Sequence, residues 1–224
     1  MTPTSEDLLA EATRLHSAAD FKKCMKAAEK ARKKFQKEGR VDRAIEALRI
    51  MGDCVVNTHE LKKAEKLYNK LLEEGLSISN KWYQAAAYWG LGQVSFRKMD
   101  YRNAAKLFEK GLELAKSVAD KWYTAWNALG LALALRGLAR LTEAKPLLQE
   151  AMALFKELGQ SSAQSWAEKA VKEIGGEMEV ESDTADEIRI WLCPLCGSKF
   201  KENQVSSLKS GKTTTCDYCG TTAG

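Results

Sequence analysis

The tripeptide Lys81-Trp82-Tyr83 returns 40 residues later as Lys121-Trp122-Tyr123, and the agreement spreads well beyond those side chains. A fixed period in this range marks similar helical units stacked side by side. Stepping by 40 finds small residues at Cys24, Ala64, Ala104 and Ala144, and leucine at Leu67, Leu107 and Leu147. A large apolar residue stands at Phe21, Leu61, Tyr101 and Leu141, where the second helix of each unit is expected to open. Gly52 and Gly92 align with Ala12 and Ala132, so one helix position always carries a very small side chain. Small residues let two helix backbones approach, and bulky ones fill the groove beside them. The first copy diverges most, with Glu11 where the others carry Met51, Leu91 and Leu131, as expected of a terminal unit with one flank in water. Such a stack buries a continuous core and leaves one long curved face free, which suits docking better than catalysis.

Helix punctuation agrees with the period. Asn80 and Asp120 stand where N-caps are needed before Lys81 and Lys121. Ser161 or Ser162 opens a further helix over Ala163 to Ile174, whose Trp166 lies 40 residues after Trp126. No partner helix follows before Gly175-Gly176, so this helix reads as a cap on the last unit. Pro146 falls near the first turn of its helix, where a missing donor does little harm.

With these residues in place the copies resemble the tetratricopeptide repeat. The matching residues are Tyr88, Leu91, Gly92, Tyr101, Ala104 and Phe108 in the third copy. In the fourth they are Leu131, Ala132, Leu141, Ala144, Leu148 and Ala151. The resemblance covers residues 5–174, and the 40-residue period exceeds the family's usual ~34, which implies longer helices. The proline that often ends the family's repeats is missing here. The resemblance also implies that the first helix of each repeat lines a concave groove. Carried onto this chain, that face holds Arg49, Asp53, Trp89, Gln93, Phe96 and Arg97, then Trp126, Leu133 and Arg136, with Trp166 from the capping helix. Mixed tryptophan and arginine is what binding hot spots favour. Tryptophans at helical spacing are as often plain core. Trp82 and Trp122, at their helix starts, read as fasteners between adjacent repeats. One branch of the family clamps chaperone C-termini with Lys, Asn and Arg at set places. Here those places hold Leu9, Thr13, Ile50, Ala86 and Gly90, or Arg49, Asp53, Gly90, Trp126 and Gly130, and neither set fits. An amphipathic helix or a short hydrophobic motif suits the groove better.

Composition bounds the rest. A chain of 224 residues, 45% hydrophobic with 3 prolines, has room for one helical array and one small module. The start, Thr4-Ser5-Glu6-Asp7, lacks the apolar stretch of a secretory signal. The longest apolar run, Ala128 to Leu135, stops at Arg136, far short of the roughly 20 residues that span a bilayer. A cytoplasmic protein with no membrane partner is expected. From Lys22 to Arg40 nine Lys or Arg stand against Glu29 and Glu38, while Glu177 to Glu187 holds six acids and no base. The basic run suits nucleic acid or an acidic partner, but the solvated face of an edge helix is the preferred reading.

After Gly175-Gly176 the chain changes character. Residues 175–187 read as an acidic flexible linker, and Ile188 to Leu192 alternates like a strand. Cys193-Pro194-Leu195-Cys196-Gly197 and Cys216-Asp217-Tyr218-Cys219-Gly220 then give C-x2-C-x19-C-x2-C, the spacing of a four-thiolate zinc site. Two intervening residues let a tight turn bring both sulfurs to one ion, and Gly197 and Gly220 allow the positive φ such turns need. Four thiolates leave no open position for water, so one structural Zn2+ held by Cys193, Cys196, Cys216 and Cys219 is expected. The stretch 188–224 is too short to fold on apolar burial alone and resembles a zinc ribbon. Rubredoxins share the Cys-Pro-Leu-Cys-Gly knuckle, but have a longer gap and a fuller aromatic core than Trp191, Phe200 and Tyr218 provide. Zinc is therefore favoured over iron, and disulfides are disfavoured without a secretion signal. Cys24 and Cys54 read as small buried hydrophobes. With only His16 and His59 to activate a thiol and no phosphate-cradling loop, no enzyme is expected.

The fold class expected is all-α: a tetratricopeptide-like helical solenoid of four helix pairs plus a capping helix at 5–174, with a small C-terminal β zinc ribbon at 188–224. The leading functional reading is an intracellular adaptor that binds a peptide or helix in the groove, with the ribbon as a second contact. The alternative is a nucleic-acid-associated factor using the ribbon and the basic first repeat. From Ile188 onward five Lys or Arg oppose Glu202 and Asp217, and only Trp191, Phe200 and Tyr218 could stack on bases, which is weak for a dedicated binder.

Overall fold

The computed structural model describes residues 2–58, 60–174, 200–210, 212–215, 217 and 222–223. It divides into two compact units, Met1–Val171 and Lys172–Gly224. The first is built of antiparallel helix pairs. They are α1 (Ser5–Ser17) with α2 (Phe21–Lys37), α3 (Val41–Asn57) with α4 (Leu61–Ser77), α5 (Lys81–Arg97) with α6 (Tyr101–Ser117), and α7 (Lys121–Gly137) with α8 (Leu141–Glu157). Helix α9 follows at 161–174, two residues longer at its start than the spacing suggested. Phe21, Leu61, Tyr101 and Leu141 each open their second helix, as the repeat required.

One turn chemistry recurs at seven joints among the described residues. Ala19, Gly39, Ser79, Met99, Ala119, Ala139 and Gly159, spaced by multiples of 20, all have φ between 53° and 69°. In each turn the next residue's N–H reaches back to close a Schellman motif, as in Asp20 to the Leu15 carbonyl (2.9 Å) and Asp120 to the Ala115 carbonyl (3.0 Å). That same residue is the N-cap of the following helix. Asn80 accepts from the N–H groups of Trp82 and Tyr83, and Asp120 from that of Tyr123, as expected of caps. Pro146 lies deeper than expected: it is the sixth residue of α8, in the second turn, where it removes one intrahelical bond.

Packing follows the alternation of large and small residues. Tyr68 and Phe108, both fully buried, each wedge between two helices. A Cβ on Gly52 would come within 2.8 Å of Tyr68 Cε1, and Gly90 abuts the same ring from α5. Phe108 is held likewise between Gly92 (2.6 Å to a Cβ) and Gly130 (2.5 Å). First helices of successive pairs lie against each other, α1 on α3, α3 on α5 and α5 on α7, while second helices make no comparable contact. The array therefore bows with the first helices on its inner side. Arg32, almost fully buried, ties three helices together by donating to the Ala44 carbonyl (3.0 Å) and to Glu74 Oε1 (2.5 Å).

Cys24 of α2 and Cys54 of α3 depart from expectation in one respect. Both are fully buried in the core, as expected, and they are in addition paired as a disulfide, with Cα atoms 6.4 Å apart. The sequence hid this because the partners sit 30 residues apart on different helices, each at an ordinary core position.

The second unit, where described, holds α10 (Glu202–Lys209) and a two-residue antiparallel ladder of β1 (Thr214–Thr215) on β2 (Thr222–Ala223). Gln204 donates to the Thr215 carbonyl (2.7 Å) and to Asp217 (3.0 Å), and Phe200 packs beneath Val205 and Leu208. Helix α10 was not expected inside a β ribbon. The four cysteines proposed as metal ligands, and His59, lie outside the described residues.

Candidate functional site

The inner side of the first unit encloses a hollow of about 600 Å³. Five of the six tryptophans in the chain line it: Trp82, Trp89, Trp122, Trp126 and Trp166. Chance placement of core residues does not gather them this way, since a core shared evenly among repeats would spread its indoles along the array. The rings contact one another edge to face, except for the tilted pair of Trp122 and Trp126. Trp89 lies 6.3 Å from both Tyr123 and Trp126, Trp126 lies 4.9 Å from Phe155, and Trp122 covers Trp126 at 5.9 Å. Trp122 and Trp166 remain 41% and 51% exposed, a large apolar area facing solvent.

A charged network forms the other wall. Arg49 donates to Glu46 (2.6 and 3.0 Å) and to Asp53 Oδ2 (2.5 Å), two carboxylates that share its face of α3. Its guanidinium also sits 5.8 Å over the Trp82 ring. Burial opposes the charge on Arg49, but Tyr123 and the Asp53 and Glu46 carboxylates outweigh it and keep the group protonated. Asp53 uses its second oxygen to accept from the Tyr68 hydroxyl (2.8 Å), so the network runs from the hollow into the core. Burial, and then the charge of Asp53, pushes the Tyr68 hydroxyl well above its usual range. Arg97 closes the near end by donating to the Val56 carbonyl. The indole N–H groups of Trp89 and Trp126 and Nε2 of His16 are buried without a partner among the described residues. Orphaned donors of this kind cost on the order of 1–3 kcal/mol each.

Of the residues expected on this face, Arg49, Asp53, Trp89, Gln93, Arg97, Trp126 and Trp166 line the hollow. Phe96, Leu133 and Arg136 do not. Phe96 is one residue off the stripe of Trp89, Gln93 and Arg97, so helical rotation turns it toward Tyr101, whose ring is 5.4 Å away. Leu133 and Arg136, seven and ten residues after Trp126 on α7, are not among the residues that line the hollow. Thr13, Ser17 and Asn57 were missed although the period offered them, since they occupy the places of Asp53 and Arg97 in other copies. Trp82 does fasten repeats, through its Nε1 donating to Asp120 (2.8 Å) and its ring against Tyr123 (5.1 Å), yet it also walls the hollow. Trp122 does not fasten repeats in this way. It rests on Trp126 of its own helix.

A family model of the tetratricopeptide repeat matches residues 83–157. Among solved structures, the apo form of RapI is similar with a TM-score of 0.65 at 12% identity, over 81% of this chain and 71% of that one. A Rap protein complexed with competence and sporulation factor is similar with a TM-score of 0.53 at 13% identity, over 79% of this chain and 65% of that one. No curated protein matches the chain. The paired helices, their side-chain register and these likenesses agree that the fold is tetratricopeptide-like.

Proposed function

We propose that the protein is an adaptor that receives a peptide or amphipathic helix of another protein in the tryptophan-lined hollow. The observation that carries this is the convergence of five indoles on one cavity, with two of them still exposed. Tryptophan and arginine in a desolvated recess are the residues that dominate binding energy. The guest would present an apolar side chain to Trp122, Trp126 and Trp166. Support also comes from the related structure solved with competence and sporulation factor, an instance of this fold holding a second molecule. The role is binding without a catalytic step. No helix among the described residues is long and apolar enough to cross a membrane.

The same proposal assigns Cys193, Cys196, Cys216 and Cys219 to one structural zinc ion in a ribbon-like module at 188–224. The donor set fits zinc, because four thiolates satisfy its tetrahedral preference. The residues flanking Cys216, Thr215 and Asp217, are both pinned to α10 through Gln204. Metal analysis of the full chain should find one zinc per protein, lost on Cys193→Ser with Cys196→Ser. An iron chromophore or no bound metal would refute the assignment.

Panning a peptide library on the full chain, with counter-selection on Trp126→Ala, tests the hollow. Peptides should be recovered whose affinity falls at least roughly tenfold in the variant, about 1.4 kcal/mol. Recovery only of peptides indifferent to Trp126 would sink the reading.

A further inference from the structure

The outer faces of the second helices carry a pattern that the hollow does not use. Lys22, Lys26 and Lys30 of α2 are exposed, at positions i, i+4 and i+8. Forty residues on, α4 repeats them as Lys62, Lys66 and Lys70, and α6 again as Arg102, Lys106 and Lys110, all exposed. Among the described residues none of these nine is ion-paired, although neighbours such as Lys23, Lys33, Lys63 and Lys98 are. The fourth copy drops the pattern for Thr142, Pro146 and Glu150.

Helix geometry makes each set a short ridge. Eight residues advance about 12 Å and turn through about 80°, so three cations share one side of each helix at roughly 6 Å spacing. The repeat places the three ridges in the same register, with Ala28, Tyr68 and Phe108 buried on the opposite side. The three ridges belong to helices that pack on their neighbouring first helices rather than on one another, so they stand as separate rows along the array.

A merely solvated face mixes its signs. Acids flank the ridge on the same side of the helices: Glu73 and Glu113 follow Lys33 at position 33, and Glu29 and Glu109 stand at position 29, both positions within about 20° of the ridge. The nine grid positions themselves carry only cations within the first three copies. We propose that this three-helix cationic face binds the phosphate backbone of double-stranded nucleic acid, without reading its sequence.

Three features favour that occupant. Lysine is depleted at protein–protein interfaces, which rely on aromatic and arginine anchors, and eight of the nine cations here are lysines with no such anchor among them. Single strands need aromatic platforms for their bases. The exposed tryptophans instead lie at the hollow, on the inner side of the array. Surface attachment to lipid is strengthened by apolar insertion, whereas the only large exposed apolar residue on these three helices is Leu76, at the far end of α4. What remains is a dense array of point charges, which suits counterion-releasing association with phosphates.

The test is fluorescence anisotropy of a short labelled DNA duplex with the full chain between about 50 and 200 mM salt. Affinity should fall by roughly 10³-fold across that range, the mark of several neutralised phosphates. Substituting Lys22→Gln, Lys26→Gln, Lys30→Gln, Lys62→Gln, Lys66→Gln and Lys70→Gln together should flatten the log–log slope by about 0.9 for each phosphate left without its cation. Circular dichroism verifies that this variant keeps its helices, and Trp126→Ala should bind the duplex unchanged. The proposal is overturned if the wild-type chain shows no salt-dependent binding or if the six-fold variant keeps the original slope. It is equally overturned if these lysines hold phosphatidylserine vesicles or polyglutamate more tightly than the duplex at equal salt.

Discussion

Gly92→Ala should destabilise the helical unit, and Phe108→Leu should combine with it at less than the additive cost. A methyl on Gly92 would meet Phe108 Cε1 at 2.6 Å and Cδ1 at 2.7 Å. The ring cannot retreat, because it is fully buried and its other side rests on Gly130. Overpacking of this kind costs about 1–3 kcal/mol. Alanine is the better helix former by about 1 kcal/mol, which offsets part of that cost. With no room to yield, the upper end of the range applies, and a net loss of about 2 kcal/mol follows. Phe108→Leu alone removes packing and should cost about 1–2 kcal/mol. The two together recreate the pair that the fourth copy already uses, Ala132 with Leu148, so their combined cost should fall short of the sum by at least about 1 kcal/mol. Urea unfolding followed by helical circular dichroism provides all four corners of the cycle. Costs that add to within about 0.3 kcal/mol, or a Gly92→Ala protein as stable as wild type, would show that the wedge is not what spaces α5 from α7.

Asp53→Ala should cost about 1–3 kcal/mol, because it strands the buried Tyr68 hydroxyl and half the partners of Arg49, and Tyr68→Phe in the same background should restore part of it. An unchanged urea midpoint would exclude the network as a source of stability. Burial, and then Glu46 and Asp42, raises the Tyr83 hydroxyl to about 12. A group whose folded value lies above its unfolded one contributes fully below the unfolded value, so the Tyr83 contribution should hold to pH 10 and be lost at about 1.4 kcal/mol per unit from there toward 12, on top of the losses from Tyr68 and Tyr123. Tyr83→Phe should soften that decline, and an alkaline profile identical to wild type would contradict the assignment. Non-reducing mass analysis after zinc chelation should count four free thiols among the six cysteines, with Cys24 and Cys54 linked. Closing a loop of 30 residues should make the oxidised chain about 3–4 kcal/mol more stable than the reduced one, and six free thiols in the native protein would rule the bond out.

What could be read from the sequence was whatever repeats. The opening residues of the second helices, the caps at Asn80 and Asp120, and the stripe of Trp89, Gln93 and Arg97 all follow from a period of 40 and a pitch of 3.6 residues per turn. Features unique to one place were hidden. Tyr68 reaches Asp53 only because Gly52 and Gly90 open a slot between helices, and nothing local to Tyr68 announces that slot. The left-handed turns were invisible for a different reason. Glycine flags such a conformation, but Ala19, Ser79, Met99, Ala119 and Ala139 adopt it under tertiary constraint. The roles of Trp82 and Trp122 could not be separated either, since identical neighbours in sequence end in different surroundings, one against Asp120 and the other facing solvent.

The evenly spaced left-handed joints have a further consequence. Because Ser79 and Ala119 share the left-handed form and Asn80 and Asp120 beside them both cap the next helix, the chain can be spliced between these two points: Asn80 followed directly by Lys121 reproduces the local grammar of Asp120 and Lys121. Excising or duplicating residues 81–120 therefore changes the number of modules and preserves the local form of the joint. The molecule behaves as a ruler marked in whole modules, and the span it offers a guest is adjustable only in those steps.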